Sequence, residues 1–284
     1  YNIEGGKNVR MSVFIELLSH LGKTPTESDI FLGACIEIMQ TLFLISDDIA
    51  DRSKIRRGKP CWYKVVGVRA IKDTFFLYSL IFKIINKYCG NRHEYQKVKY
   101  LFQKGLYITC IGQSQDTLKK DFGSFDMFKK IYNQNFYRQI VYAKTAFYTV
   151  YLPFSLAYIV NHSVEPKNLK RLSFEIGYYM QFQDDYLNFF PEQSGKSGTD
   201  LDEKKVTWYT CRLVSEASTN DNINEIMEFF VNGNTSGIYK KIQAMLQNYE
   251  EEEEKFVQRL KVASDESTDL PFKLIMKIIY KRKK

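Results

Sequence analysis

Apolar residues recur along most of the chain at intervals of three and four, which is the spacing of one face of an α-helix. Strict alternation of apolar and polar residues, which would indicate strands, is scarce. Short polar segments separate the apolar stretches, and no segment of about 20 to 50 residues repeats along the chain. The pattern predicts an all-α protein built from long helices with short connections.

Capping and charge patterns place some of these helices. Residues 11–21 form a predicted helix, and Thr26 with Asp29 has the spacing of a capping box that begins the next one. The glutamates of residues 250–254 are predicted to form a solvated helix face.

The middle of the chain is predicted to be a loop followed by three helices. The loop covers residues 60–73, and the helices cover residues 74–88, 97–118 and 125–159. The last of these is rich in aromatic residues and contains Pro153, which predicts a kink because proline cannot donate a backbone hydrogen bond.

One apolar stretch ends in a cluster of acidic residues. On a helix Asp47 and Asp51 are neighbours four positions apart, and Asp48 lies close to both. Carboxylates gathered in this way repel one another unless a cation joins them, and Mg²⁺ is typically bound by one or two carboxylates together with substrate phosphates. Arg56 and Arg57 follow, and arginine binds phosphate through paired hydrogen bonds. The segment predicts a diphosphate site.

A second acidic cluster makes chance a poor explanation for the first. An isolated cluster of this kind is more often a solvated helix end than a metal site. Asp184, Asp185 and Asn188 again end an apolar stretch, however, and Lys196 and Asp200 follow them.

Together these motifs resemble those of the trans-isoprenyl diphosphate synthases of the farnesyl diphosphate synthase type. The likeness extends over nearly the whole chain, and it is carried by residues 5–10, 47–63, 144–148, 184–200 and 279–284. It implies a single domain over residues 1–284, a helical bundle in which the two acidic helix ends face a central cavity. Because members of the family usually carry further residues before the first motif, we expect an N-terminal segment to precede Tyr1.

The resemblance also implies a role for individual residues. About three Mg²⁺ ions, with Mn²⁺ as an alternative, would be held by acidic and amide oxygens. These metal ligands are Asp47, Asp48, Asp51, Asp116, Asp184, Asp185, Asn188 and Asp200. The residues that stabilise the leaving diphosphate are Arg56, Lys144, Thr145, Lys196 and Lys205. The remaining substrate-binding residues are Lys7, Arg10, Gln40, Leu42, Phe43, Arg57, Tyr148 and Gln181.

The implied reaction joins dimethylallyl or geranyl diphosphate to isopentenyl diphosphate and yields geranyl or farnesyl diphosphate. Leu42 and Phe43 lie about one helical turn before Asp47, where the family sets product length by side-chain bulk. Leu42 leaves room on one side of the product pocket. The pattern therefore favours a farnesyl product and keeps longer products as an alternative.

A terpene synthase on the same scaffold is the alternative interpretation. It would ionise geranyl or farnesyl diphosphate without a second diphosphate substrate. Four departures from the family pattern favour it, namely Met11, Cys110, Met180 and Asn188. The residues that would bind a second diphosphate argue against it, namely Lys7, Arg10, Gln40, Arg57 and the basic residues 281–284.

Composition narrows the remaining choices. The 284 residues are 44% hydrophobic and 26% charged, which indicates a folded protein, and the net charge of +8 suits polyanionic small substrates. RNA-recognition motifs are missing, so we expect no nucleic-acid partner.

The five cysteines predict free thiols in a reducing compartment. We expect a cytoplasmic location, or a mitochondrial one if a targeting segment precedes Tyr1. No stretch of about 18 residues is apolar throughout, so we expect no membrane span. The resemblance implies a homodimer.

Overall fold

The computed structural model describes residues 1–117, 124–190, 198–217, 219–233 and 236–280. Helices dominate these residues, which confirms the predicted all-α class. In the first part of the chain they are α1 (Val9–His20), α2 (Glu27–Ala50), α3 (Trp62–Val66), α4 (Arg69–Cys89), α5 (Tyr95–Asp116), α6 (Phe125–Ile131) and α7 (Gln134–Val141). A π-helix (Tyr142–Tyr151) then leads into α8 (Leu152–Val160) and α9 (Leu169–Asn188). The last helices are α10 (Trp208–Ser215), α11 (Asn220–Asn232), α12 (Ser236–Gln247), α13 (Tyr249–Ala263) and α14 (Asp269–Tyr280).

The central helix α2 begins where the capping box predicts. Thr26 N donates to Asp29 Oδ2 at 3.0 Å, and Asp29 N donates to Thr26 Oγ1 at 3.4 Å. Among the described helices, α2 is also the one whose length and hydropathy suffice to cross a membrane, with a mean hydropathy of 1.6 over its most apolar window. Because 67% of that window is buried inside the protein, α2 has the character of a core helix.

After α2 the chain forms a hairpin of two short antiparallel strands, β1 (Ile55–Arg56) and β2 (Lys59–Pro60). The loop predicted over residues 60–73 is wrong in part, because it contains α3. Helix α4 begins at Arg69, several residues before the predicted start.

The long helix predicted over residues 125–159 is wrong in two respects. Asn133 interrupts it, because its side chain accepts hydrogen bonds from the backbone N–H groups of Asn135 and Phe136 and so begins α7. In addition, residues 142–151 form a π-helix and not an α-helix, and Pro153 lies directly after it at the start of α8. The kink at Pro153 stays a prediction.

Two glycines let the π-helix lie close to its neighbours α5 and α9. A Cβ atom on Gly112 would come within 2.2 Å of Lys144 N, and one on Gly177 within 2.2 Å of Ala146 Cβ. No side chain fits at either position, so the backbones of three helices meet directly. This contact sets where the π-helix presents its side chains.

The glutamate run on α13 is not simply a solvated face. Glu253 Oε1 accepts hydrogen bonds from the hydroxyls of Tyr179 at 2.7 Å and Tyr249 at 2.9 Å, and Glu252 accepts one from Arg212 at 2.7 Å. Two of the five glutamates therefore join α13 to α9 and α10, because charged side chains on a helix can pair across a groove as well as face water.

All five cysteines are free thiols, as predicted. Four of them are buried, and Cys110 on α5 is exposed.

Candidate active site

The ends of α2 and α9 open into one cavity of about 560 Å³. The first turn of α1, the end of α5, the π-helix and residues 199–207 complete its wall. Of the predicted site residues that the structure describes, all line this cavity except Leu42 and Asp48. Lys196 lies outside the described residues.

Asp48 and Leu42 point away from the cavity. The Asp48 side chain is 1% exposed. Its Oδ1 accepts a hydrogen bond from Arg56 Nε at 2.7 Å and forms an ion pair with Arg56 Nη2 at 2.7 Å. It therefore fixes Arg56 against the end of α2. Leu42 is buried in the core, whereas Phe43 lines the cavity. Successive residues on a helix point about 100° apart, so adjacent residues such as these face different neighbours.

The two acids of the first motif that do face the cavity meet two lysines. Lys144 Nζ, from the π-helix, lies 3.4 Å from Asp47 Oδ1 and 2.5 Å from Asp116 Oδ2. Lys205 Nζ lies 2.5 Å from Asp51 Oδ2. The lysines thus stand between carboxylates from α2 and α5.

These contacts shift the protonation of the acids in opposite directions. Burial by itself would raise the pKa of Asp47, but the charges of Lys144, Lys205 and Arg56 outweigh it and lower that pKa. Burial and the neighbouring charge of Asp47 raise the pKa of Asp51 to about 6. As the pH falls, Asp51 is therefore protonated before Asp47.

Asp185 of the second motif is held by three donors. Its Oδ2 accepts hydrogen bonds from the Tyr137 hydroxyl at 2.6 Å and from Trp208 N at 2.8 Å, and its Oδ1 accepts one from Gln181 Nε2 at 2.9 Å. Burial raises the pKa of Asp185 to about 7 although these donors lower it. Asn188, where a carboxylate would be expected, accepts a hydrogen bond from Asp200 N at 3.2 Å.

Tyr137 is a functional residue that the sequence interpretation missed. It is fully buried on α7 and reaches the acid of another helix. Its one sequence signal is its position seven residues before Lys144, which is about two helical turns.

The π-helix presents two pairs of side chains to the cavity, Lys144 with Thr145 and Tyr148 with Thr149. Thr145 Oγ1 donates to Gln181 Oε1 at 2.8 Å, so the same glutamine joins the π-helix to Asp185. π-Helical segments often occur at functional sites.

The oxygen donors of the cavity suit a hard divalent cation. Oδ1 of Asp47 is buried, lies 3.4 Å from Lys144 Nζ and has no other hydrogen-bond partner among the described residues. Among the described residues no three His, Cys, Asp or Glu side chains form a ready metal cluster. Acids of both motifs nevertheless line the same space, and Lys144 and Lys205 pair with Asp47 and Asp51 of the first motif.

A family model described as polyprenyl synthetase matches residues 1–246. The chain belongs to the polyprenyl synthetase family. Its members are prenyltransferases that use a divalent metal. The family membership predicted from the sequence motifs is confirmed.

Relatives of the chain include two proteins named farnesyl pyrophosphate synthase. The protein of Gallus gallus is 37% identical over 231 residues, and that of Saccharomyces cerevisiae is 38% identical over 233 residues. Each alignment covers 77% of the present chain, but 62% and 66% of the respective relative, which is less than two thirds of its length.

A solved structure of the family has the same fold. The farnesyl diphosphate synthase of T. brucei, complexed with a bisphosphonate, superposes on this chain with a TM-score of 0.74 at 26% sequence identity. The superposition covers 100% of this chain and 89% of the T. brucei chain. This similarity confirms the predicted isoprenoid-synthase bundle. The relatives do not favour the terpene synthase alternative.

Proposed function

We propose that the protein is a magnesium-dependent trans-prenyltransferase. It joins dimethylallyl or geranyl diphosphate to isopentenyl diphosphate and forms geranyl and farnesyl diphosphate. The observation that carries this proposal is that one cavity is lined by both acidic helix ends and by three other cationic residues. These are Lys7, which precedes α1, Arg10 of α1 and Arg57 of the hairpin. Two diphosphate groups can therefore bind side by side.

The first diphosphate would bind at the acids. Asp47, Asp51 and Asp184 would hold about three Mg²⁺ ions, or Mn²⁺ in their place, with Asp116, Asp185, Asn188 and Asp200 around them. When bound, the metal supplies positive charge to the departing diphosphate.

The chain adds its own cations at the same place. Lys144 and Lys205 lie between the acids, and Arg56 is held by Asp48. Burial would lower the pKa of Lys144, but the charges of Asp116 and Asp47 raise it well above its ordinary value, so the ammonium group stays charged. As the allylic C–O bond breaks, the bond electrons leave with the diphosphate, and these fixed cations stabilise that anion without reorganising.

The second substrate would meet the allylic cation near two aromatic rings. Phe43 and Tyr148 have ring centroids 5.6 Å apart at the cavity wall, and aromatic faces attract cations. The double bond of isopentenyl diphosphate, held by Lys7, Arg10, Gln40 and Arg57, attacks the cation and forms the new C–C bond. The departing diphosphate accepts the proton that is then lost.

The test is incubation of geranyl diphosphate and Mg²⁺ with and without isopentenyl diphosphate. We expect a longer prenyl alcohol, released by phosphatase, in the presence of isopentenyl diphosphate. Asp47→Ala should abolish turnover, and Lys7→Ala should remove chain elongation. A volatile terpene formed without isopentenyl diphosphate would contradict the proposal.

We also propose a homodimer that forms through α4 and α5. Phe75 and Phe76 of α4 are 68% and 65% exposed, and Tyr107 of α5 is 70% exposed, which is unusual for aromatic residues on helices of a monomer. In light scattering, Phe76→Glu should lower the measured mass to that of one chain. Val164→Glu, at a position that is 92% exposed outside both helices, should leave the mass unchanged.

A further inference from the structure

The first turn of α1 is held by a carboxylate from another helix. Asn8, which precedes α1, forms no side-chain cap. Instead, Glu37 Oε1 of α2 accepts hydrogen bonds from the backbone N–H groups of Arg10 and Met11, each at 3.0 Å. The first N–H groups of a helix lack partners within the helix, and its N-terminus favours negative charge. Glu37 of α2 supplies both the hydrogen-bond acceptor and the negative charge.

This carboxylate lies among the cations that line one end of the cavity. Glu37 is 8% exposed, and its partner Arg10 donates from Nη2 to Thr149 Oγ1 at 2.8 Å and to the Tyr148 hydroxyl at 3.2 Å. Arg10 Nε is buried and has no hydrogen-bond partner among the described residues. The guanidinium is thus fixed against the π-helix, at a residue that lines the cavity.

Arg57 shares the same space. Burial and the charges of Arg56 and Arg10 lower the pKa of Arg57, whereas the charge of Glu37 raises it. Arg57 is also tied to the N-terminal segment, because its Nη1 donates to Asn2 O at 2.9 Å. Glu37 is therefore a buried carboxylate that holds the backbone of Arg10 and whose charge acts on Arg57.

We propose that Glu37 is the positioning residue of the isopentenyl diphosphate subsite. By capping α1 it fixes Arg10 over the cavity, and by its charge it offsets the repulsion between Arg10 and Arg57, so that both can face one diphosphate. This inference rests on the proposed function. Gln40, about one turn further along α2, also lines the cavity.

Two substitutions separate the two roles of Glu37. Glu37→Gln keeps an oxygen that can accept from the backbone N–H groups but removes the charge, and Glu37→Ala removes both. Glu165→Gln is the matched control, because Glu165 accepts hydrogen bonds from Tyr151 at 2.8 Å and Ser155 at 2.7 Å and is not among the residues lining the cavity.

In steady-state kinetics, Glu37→Gln should raise the KM for isopentenyl diphosphate about fivefold and Glu37→Ala about 30-fold, with the KM for the allylic substrate changed less than about twofold. Glu165→Gln should leave both KM values near those of the wild type. An equal rise of both KM values in the Glu37 variants, or no rise, would overturn the inference.

A binding measurement keeps this test independent of turnover. Calorimetric titration with inorganic diphosphate in EDTA reports binding to the cationic subsite alone, and Glu37→Gln should weaken it by about the same factor as KM. If the wild type fails to elongate but Glu37→Gln weakens diphosphate binding, the proposed reaction falls and the positioning role stands. If the wild type elongates and Glu37→Gln binds diphosphate as the wild type does, the positioning role falls. Should Glu37→Ala fail to fold, Glu37→Gln decides.

Discussion

Lys205 donates a hydrogen bond to Asp51 across 154 positions of sequence, with Nζ 2.5 Å from Oδ2. The same Nζ lies 3.7 Å from Asp200 and 4.0 Å from Asp116. Burial and the charge of Lys144 would lower the pKa of Lys205, but the surrounding carboxylates outweigh them and raise it. One permanent cation therefore stands where the two acidic motifs meet.

Removing this cation should slow catalysis with little effect on folding. We expect Lys205→Met to lower kcat about 100-fold, the effect of removing one preorganised donor to a developing anion. Steady-state kinetics measure this. The adjacent Lys204 is the control, because its Nζ donates to the backbone oxygen of Phe230 outside the cavity. Lys204→Met should cost about 1 kcal/mol of stability and leave kcat within about twofold. Equal losses of kcat in the two variants would contradict the assignment.

Product length should depend on Phe43 and not on Leu42. Phe43 lines the cavity and contacts the Tyr148 ring, whereas Leu42 is buried outside the cavity wall. Phe43→Ala should therefore lengthen the main product beyond farnesyl. Leu42→Ala should keep the product and lower the free energy of unfolding by about 3 kcal/mol, the usual cost of a buried leucine. Chromatography of the released alcohols and urea unfolding measure the two effects. A longer product from Leu42→Ala alone would show that the two roles are reversed.

The close contact of α5 with the π-helix predicts a large difference between two glycines of one helix. A Cβ on Gly112 would meet the backbone N of Lys144 at 2.2 Å, whereas one on Gly105 would meet the flexible ends of Leu152 and Met39 at 2.8 and 3.0 Å. Gly112→Ala should cost about 3 kcal/mol and displace Lys144, and Gly105→Ala about 1 kcal/mol. Unfolding midpoints and kcat are the measurements. Wild-type activity in Gly112→Ala would mean that the π-helix can move without harm.

The capping pair of α2 predicts how stability depends on pH. Asp29 is fully buried and lies 2.8 Å from Arg92 Nη1. Burial would raise the pKa of Asp29, but hydrogen bonds from Arg92 and Thr26 outweigh it and lower the pKa below its ordinary value of 3.8. The stabilisation is therefore fully present above about pH 4 and is lost as the pH falls through the lowered pKa.

Asp29→Asn tests this dependence. At pH 7 it should lower the free energy of unfolding by about 2 kcal/mol, less than the loss of a fully buried ion pair because Arg92 is 23% exposed. In urea unfolding between pH 7 and pH 3, the difference in free energy of unfolding between the variant and the wild type should shrink only at the acidic end. Asp269→Asn, which removes an exposed pair with Lys273, should show almost no gap. A free-energy difference that shrinks as the pH rises would contradict the predicted direction of the pH dependence.

Sequence reasoning succeeded where the decisive interactions are local. Helical periodicity places Asp47 and Asp51 on one face, and the capping box at Thr26 starts α2 where expected, because both depend on residues three or four positions apart. The two acidic motifs and the basic residues between them carried enough chemistry to predict the family.

Tertiary packing decided which faces meet the cavity. Asp48 and Leu42 are neighbours of cavity residues in sequence, yet the rotation of α2 in the bundle turns them to Arg56 and to the core. Tyr137 reaches Asp185, and Glu37 reaches the start of α1, only because separate helices come together. Local spacing determines which residues share a face of a helix. Only long-range contacts determine what that face touches, so the sequence alone specified the chemistry of the site and the fold specified its geometry.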